Sequence, residues 1–315
     1  MNVSVRQAVL WGVRVLGQHG CDSPRLDAEL LLAHAMGLTR ARLLAQFDRE
    51  LSPAELARYR QLIERRRAHE PVAYIVGHQE FYGLDFYVDR RVLIPRPETE
   101  LLVERAIKLA GEVGDRGYGL YPLTLADVGT GSGAIAVSLA VHLPQATIYA
   151  LDSSAEALEV AARNVRRHGI EGRVHLLRGD LLSPLPEPVD LIVANLPYVS
   201  EAELAELPPQ IRRYEPLSAL DGGPDGLRHI RRLLAQAGGY LRPQGAILLE
   251  IGATQGAEVI ELARRYFPMA SIEVVKDYAG LDRVVIVRTR EAGHARRGCV
   301  SHPGAARRTG QGFEA

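Results

Sequence analysis

The sequence predicts an α/β protein: a mostly parallel sheet with helices on both faces and an antiparallel edge, joined through a β-hairpin to a small all-helical N-terminal domain. Three observations carry this. From residue 123 onward short apolar strands alternate with amphipathic helices, the pattern of a parallel sheet covered on both sides. Up to residue 71 the apolar residues recur at helical spacing. Between these regions lies a stretch rich in aromatic and β-branched residues, broken by Gly77 and Gly83. The 315 residues leave room for two domains, and a hydrophobic fraction of 47% allows a large core.

Residues 1–71 form the expected helical domain. "SVRQAVLWGVRVL" has one apolar face, which takes in Trp11. Ser23-Pro24 opens "RLDAELLLAHAMG", with Ser at the N-cap, Pro in the first helical position and Gly37 as the stop. "TRARLLAQF" is a short element. "SPAELARYRQLIERRRAHE" starts at Ser52-Pro53 and puts Glu55 where a capping box needs it. Its end, "ERRRAHE", reads as a solvated face. Residues 72–96 read as the hairpin linker and 97–288 as the α/β domain, whose first helix is opened by Pro97 and the acids that follow. The strands of this domain are "LTLADV", "ATIYAL", "RVHLLRG", "VDLIVAN" and "AILLEIG", and "SIEVVKDYAGLDRVVIVR" supplies two more around a short turn. Helices are expected at "GAIAVSLAVHL", "SAEALEVAARNVRRHG", near 200–207, at "GLRHIRRLLAQAGGYL" and at "ATQGAEVIELARRYF". Residues 289–315 carry few large apolar groups and read as a disordered tail.

Bulk chemistry removes several function classes. Formal net charge is zero, so no global field draws the chain to nucleic acid or membrane. Arg greatly outnumbers Lys, which reads as genomic base composition. Cys21 and Cys299 stand far apart without CxxC partners, which supports neither a metal site nor a disulfide framework and fits a reducing cytoplasm. The first residues have the charges Arg6 and Arg14 inside their apolar run, unlike a signal peptide. No run of about 20 apolar residues suggests a membrane span. His78 and His142 lack ligand spacing and read as ordinary packing or surface residues.

"LADVGTGSGAIAV" follows the first sheet strand and opens a helix. Gly129, Gly131 and Gly133 let the backbone turn and let a ligand approach without Cβ contact. In open α/β sheets ligands bind at the carboxyl ends of the strands, beside such a turn. The bland alternative is a tight turn with no ligand. Gly129, Gly131 and Ala134 also satisfy the dinucleotide pattern, so a nicotinamide cofactor competes at this point, and Asp152 at the end of the second strand suits ribose hydroxyls in either case. Asp127 lies two residues before the first glycine, Asp180 ends the third strand and Asn195 ends the fourth. This arrangement resembles the class I S-adenosylmethionine-dependent methyltransferases, a Rossmann-like fold with a seven-stranded sheet. The resemblance implies S-adenosylmethionine as cofactor, with its methionine part on Asp127, Gly129, Thr130, Gly131, Ser132 and Gly133. It implies Asp152 as the ribose ligand, Asp180 and Leu181 beside adenine, and Asn195 close to the transferred methyl.

The fourth strand ends in "NLPY". Asn gives up strand propensity and Pro stops a central strand, so the four residues need a purpose at that end. Asn195 offers a side-chain oxygen, and Leu196 a carbonyl held by the rigid Pro197. Tyr198 offers a flat face. Together they read as a clamp for a planar NH2 group, whose delocalised lone pair needs acceptors around its N–H bonds. A strand-ending turn is the bland reading. The motif resembles the (D/N/S)PP(Y/F) signature of methyltransferases acting on adenine, cytosine and glutamine, with Leu196 in place of the first proline. Ribosomal RNA adenine dimethyltransferases share the N-L-P-Y form, so other residues must choose the substrate.

Those residues are "PVAYIVGHQEFYGLDFYVDRRVLIPRPETELLVE", "YEPLSALDGGPDGL" and "KDYAGLDRVV". They resemble the peptide chain release factor glutamine methyltransferases, over about residues 5–288, and "LIPRPETE" is their most specific part. The resemblance implies methylation of the Gly-Gly-Gln glutamine of class I release factors; a monomer is assumed. The helical domain would dock the partner, and Asn195, Leu196, Pro197 and Tyr198 would hold the glutamine. A methyltransferase for a ribosomal protein glutamine is the nearest rival, and "PRPETE" argues against it. A nucleic-acid amino methyltransferase would call for a basic face. A nicotinamide oxidoreductase would leave "NLPY" unexplained. Arg96, Glu98 and Glu100 read as structural, and Glu250 as a strand-end acid not needed as a base.

Overall fold

The structure, a computed structural model, describes residues 3–114 and 123–289. Four helices, α1 (Val5–Gln18), α2 (Pro24–Met36), α3 (Arg40–Leu44) and α4 (Pro53–Arg67), pack around Leu16, Leu31, Leu32, Leu43, Tyr59 and Ile63. Their starts follow the local chemistry. Ser4 with Gln7 and Ser52 with Glu55 close capping boxes, and Thr39 caps α3. Ser23 occupies the N-cap position of α2, but its side chain makes no cap hydrogen bond and Pro24 alone marks the start. Gly37 ends α2 in the left-handed conformation.

The end of α4 departs from the solvated face expected of it. Arg66 is 5% exposed, and its Nε donates to Asp27 Oδ2 at 2.7 Å. The Nη1 of Arg66 donates to the Glu70 carbonyl, and the Nη2 to Gln210 Oε1 at 3.2 Å. Glu70, also buried, takes bidentate hydrogen bonds from Arg65 and a further one from Arg90. Only Arg67 keeps a surface ion pair, with Glu64. Arg66→Ala strands the Asp27 carboxylate without its partner, and breaking such a pair costs about 3–5 kcal/mol. A lowered midpoint in urea unfolding is the expected readout.

Residues 72–96 differ from a simple hairpin. A helical turn, α5 (Val72–Val76), comes first, because Ile75 fits the helical core while Ala73 and Tyr74 face a small second cluster with Val88, Val92 and Ile94. The hairpin proper is β1 (His78–Phe81) with β2 (Leu84–Tyr87). Then α6 (Thr99–Gly114) leads into the sheet domain.

The sheet domain runs β3 (Thr124–Val128), α7 (Ala134–His142), β4 (Thr147–Asp152), α8 (Ala155–Arg167), β5 (Val174–Arg178) and β6 (Val189–Ala194). Two short helices follow, α9 (Glu201–Glu206) and α10 (Pro209–Tyr214), where one was expected near 200–207. Next come α11 (Arg228–Ala237), β7 (Leu241–Glu250), α12 (Gly256–Tyr266), β8 (Ser271–Lys276) and β9 (Asp282–Arg288). The strand order is β5-β4-β3-β6-β7-β9-β8. The first five are parallel, and β9 and β8 form the antiparallel edge. Successive strand residues alternate between two cores. Leu125, Leu191, Val193 and Leu248 face α6 and α7, while Ala126, Ile192, Ala194 and Leu249 face α11 and α12. Both faces are therefore buried, as the continuous apolar runs require.

The helical and sheet domains are clasped at α10. Besides the Arg66–Gln210 bond, the Tyr214 hydroxyl donates to the Ala68 carbonyl at 2.8 Å, and the Arg90 guanidinium lies 4.8 Å from the centre of the Tyr214 ring. Thr289 is tied to the sheet through two hydrogen bonds to Gly245. Cys299 and the rest of the expected tail lie outside the described residues. Among the described residues no helix is long and apolar enough to cross a membrane.

Candidate active site at the switch point of the sheet

The chain runs outward from β3 to β5, then returns to place β6 on the other side of β3. The crevice at such a reversal is where open α/β sheets bind ligands. Val128 pairs with Ala194, so the glycine loop and "NLPY" leave the sheet side by side. A Cβ on Gly129 would come within 3.2 Å of Leu196 Cδ2, which explains the bare backbone there. Gly131 has φ +55°, and a Cβ on it would meet nothing nearer than 3.9 Å. Its missing side chain leaves open space, and its N–H donates to Asp152 Oδ2 at 2.9 Å.

One cavity at these strand ends gathers Gly129, Gly131, Asp152, Asp180, Leu181, Asn195, Leu196 and Pro197. Asp180 also forms an ion pair with Arg232. Leu181 holds φ +50°, a strained setting for a branched residue, as occurs at ligand sites. Other expected residues lie off this wall. Thr130 and Ser132 are buried, and Gly133 packs against Ala161 at the start of α7. Asp127 is fully buried beneath the loop. Its Oδ2 accepts from the Thr130 hydroxyl at 2.6 Å and from Ala136 N at 3.1 Å, while its Oδ1 has no partner. Burial pushes its carboxyl up to about 7, with Asp152 adding repulsion. The set suits a ligand that combines vicinal hydroxyls, a flat base and a positive charge.

The "NLPY" residues divide between two cavities. Asn195, Leu196 and Pro197 face the first, while Tyr198 faces a second with Pro224, Gln255 and Arg283. Leu196 is 4% exposed and packs in the core with Val128 and Ala194, so burial supplies the rigidity that a second proline would have given. The Tyr198 carbonyl accepts from Gln255 Nε2 at 3.0 Å, and its hydroxyl donates to Glu250 Oε1 at 3.4 Å. Burial and the Glu250 charge push the Tyr198 phenol up to about 12, so it stays a donor.

The motifs that carried the family resemblance form the facing walls. Arg96 pairs with Glu215, whose other oxygen accepts from Ile94 N, so "IPRPETE" and "YEPLSALDGG" are stitched together beside the cavity. Val92, Leu93, Pro216 and Ser218 complete that side. Sequence reasoning passed over four residues here. Glu215 lay inside a quoted motif without a role. His229 lines the first cavity, with its pKa lowered by burial. Asn164, fully buried, binds the backbone of Tyr87 and the carbonyl of Ser132, joining hairpin to glycine loop. Thr99 accepts from Asn195 Nδ2 at 3.1 Å. The signal for Thr99 was its place in "PRPETE", where only the charged residues had been weighed.

Known proteins share this architecture and much of the sequence. The family described as the PrmC N-terminal domain matches residues 7–77, and the methyltransferase small domain matches residues 121–207. The release factor glutamine methyltransferase of Moorella thermoacetica is 48% identical over 290 residues, spanning 92% of this chain and 100% of that protein. Its counterpart in Geobacter sulfurreducens is 41% identical over 283 residues, spanning 90% and 95%. The hMettl16 catalytic domain, solved with the MAT2A 3'UTR hairpin 6, aligns at a TM-score of 0.54 over 78% of this chain and 86% of that one. At 15% identity that likeness is one of fold.

Proposed function

The chain belongs to the release factor glutamine methyltransferase family, and from that premise we infer that it is a protein-(glutamine-N5) methyltransferase that uses S-adenosylmethionine to modify a peptide chain release factor. The acceptor is the side-chain amide of the glutamine in the Gly-Gly-Gln motif of class I release factors. The products are N5-methylglutamine, S-adenosylhomocysteine and a proton. One observation carries the site assignment: "NLPY" stands between two cavities, one walled by the glycine loop and Asp152, the other by Tyr198.

When bound, S-adenosylmethionine supplies a methyl group already activated on a sulfonium. The protein's tasks are alignment and strengthening of a weak nucleophile. Asp152 takes the ribose hydroxyls, and Asp180 and Leu181 flank the adenine. The loop from Gly129 to Gly133, braced by Asp127, takes the methionine part. Asn195 Oδ1 and the Leu196 carbonyl accept the two amide N–H bonds and raise electron density on nitrogen as positive charge grows there. Tyr198 lies against the plane of the amide. The methylated nitrogen is acidic enough to lose its proton to water, so no side-chain base is needed. The helical domain offers the partner exposed Leu10, Leu26 and Leu44.

The test is direct. Incubation with S-adenosylmethionine and an unmodified class I release factor is expected to add one methyl to the Gly-Gly-Gln peptide, mapped to the glutamine by tandem mass spectrometry. An unmodified glutamine with cofactor demonstrably bound rejects this substrate.

A further inference from the structure

A side-chain amide has one accepting end and one donating end, and only the accepting end serves an incoming N–H. Asn195 must therefore be held the right way round. Its Nδ2 donates to Thr99 Oγ1 at 3.1 Å. Thr99 is the first residue of α6 and is 4% exposed. That bond leaves the Thr99 hydrogen unused, and the Glu250 carboxylate beside it has a buried Oε2 with no hydrogen-bond partner. Glu250 ends β7 at 1% exposure and also accepts from Tyr198.

A hydroxyl has a single hydrogen. While Glu250 is ionised, that hydrogen goes to the carboxylate, and the Thr99 oxygen is left with lone pairs alone to offer Asn195. The amide must then show its NH2 to Thr99 and turn Oδ1 toward the cleft. We propose that Thr99 and Glu250 are positioning residues for this reaction: a buried relay from β7 through α6 to the end of β6 that fixes the polarity of the Asn195 amide. The proposal rests on the reading of Asn195 as the acceptor of the substrate N–H.

The relay has a titratable end. Burial pushes the Glu250 carboxyl up to about 7, against the neighbouring Thr99 and Tyr198 hydroxyls and the charge of Arg283, while Glu98 adds to the upward push. Below that value Glu250 carries a proton and can donate to Thr99. The Thr99 hydrogen is then released toward Asn195, and the amide can turn over to present N–H where the substrate N–H arrives. Above about 7 the polarity is fixed in the productive sense. The expected kcat profile falls on the acid side, roughly between pH 8 and pH 6.

Three variants test this by steady-state kinetics at saturating cofactor. Partners that orient a functional group are commonly worth about 10–100-fold, and Thr99→Val is expected to lower kcat by that factor, with KM for the release factor and calorimetric cofactor affinity within about twofold. Thr99→Ser is expected to recover most of kcat. Glu250→Gln keeps an acceptor for Thr99 but cannot ionise, so its profile, normalised to its own plateau, should lose the acid limb. Wild-type kcat in Thr99→Val, no recovery in a folded Thr99→Ser, or an unmoved acid limb in Glu250→Gln overturns the relay. Asn195→Ala, run alongside, separates the two readings. Full turnover in that variant refutes the acceptor assignment itself, whatever Thr99 does.

Discussion

Asn195→Ala is expected to lower kcat for glutamine methylation by about 10²–10³, the usual cost of deleting one hydrogen-bonding group aimed at charge developing in a transition state. Asn195 is the one side chain of "NLPY" that can accept a hydrogen bond inside the first cavity. Its backbone position is set by β6, which pairs on both sides with parallel strands, so truncation leaves the strand end in place. The other residues proposed to hold the cofactor, in the glycine loop and at Asp152, are untouched. Affinity for S-adenosylmethionine should therefore change by only a few-fold, and the loss should appear in kcat. Single-turnover assays with calorimetry measure both quantities. Turnover near that of the unaltered protein would remove Asn195 from the clamp.

Gly131→Val is expected to weaken S-adenosylmethionine binding by at least about 10²-fold, through two separable effects. At φ +55° a side chain strains the backbone, and a β-branched one is a genuine outlier there. The added isopropyl group also projects into the open space of the first cavity, since nothing lies within 3.9 Å of its Cβ. Relief of the strain would shift the loop and break the Gly131 N–H to Asp152 bond. Gly131→Ala carries the strain with far less bulk, so it should lose less affinity than Gly131→Val. Calorimetric titration ranks the three proteins. Unchanged affinity in the valine variant would mean that the cofactor does not lie over this loop.

Sheet strands were readable because burial on both faces leaves an uninterrupted apolar run, as in "VDLIVAN" and "AILLEIG". Helix starts were readable where a short polar side chain closes on a nearby N–H, as at Ser52. At Ser23 the residue type matches and the bond is missing. What stayed hidden depends on groups far apart in the chain. Arg66 sits in a run that looks solvated, and its partner Asp27 lies on another helix. The turn Val72–Val76 is helical because Ile75 plugs a core built by earlier helices, a tertiary demand that overrides its β-branched composition. Gly129, Gly131, Asp152, Asn195, Leu196 and Pro197 line one cavity because the strand ends converge at the switch point, a convergence legible from the strand-end motifs. Asp127, expected among the cofactor residues, is buried beneath the loop and accepts from Thr130 and the Ala136 N–H, contacts that the sequence alone does not reveal. Thr99 could not be singled out, because its contact with Asn195 depends on α6 meeting the end of β6.

The clasp at α10 has a consequence for choice of substrate. Its bonds with Arg66 and Ala68 fix the helical domain to the same stretch of chain that carries Glu215, paired with Arg96, and supplies Pro216 to the cavity wall. Dock and cleft become the two jaws of a fixed gauge. On the proposed docking, a release factor would have to present its glutamine loop at the right distance from the surface held by the helical domain. A free peptide with an identical Gly-Gly-Gln sequence spans only one jaw. Under that proposal, selection would be by length between two points of contact, and one glutamine would be recognised by where it stands more than by its sequence neighbours.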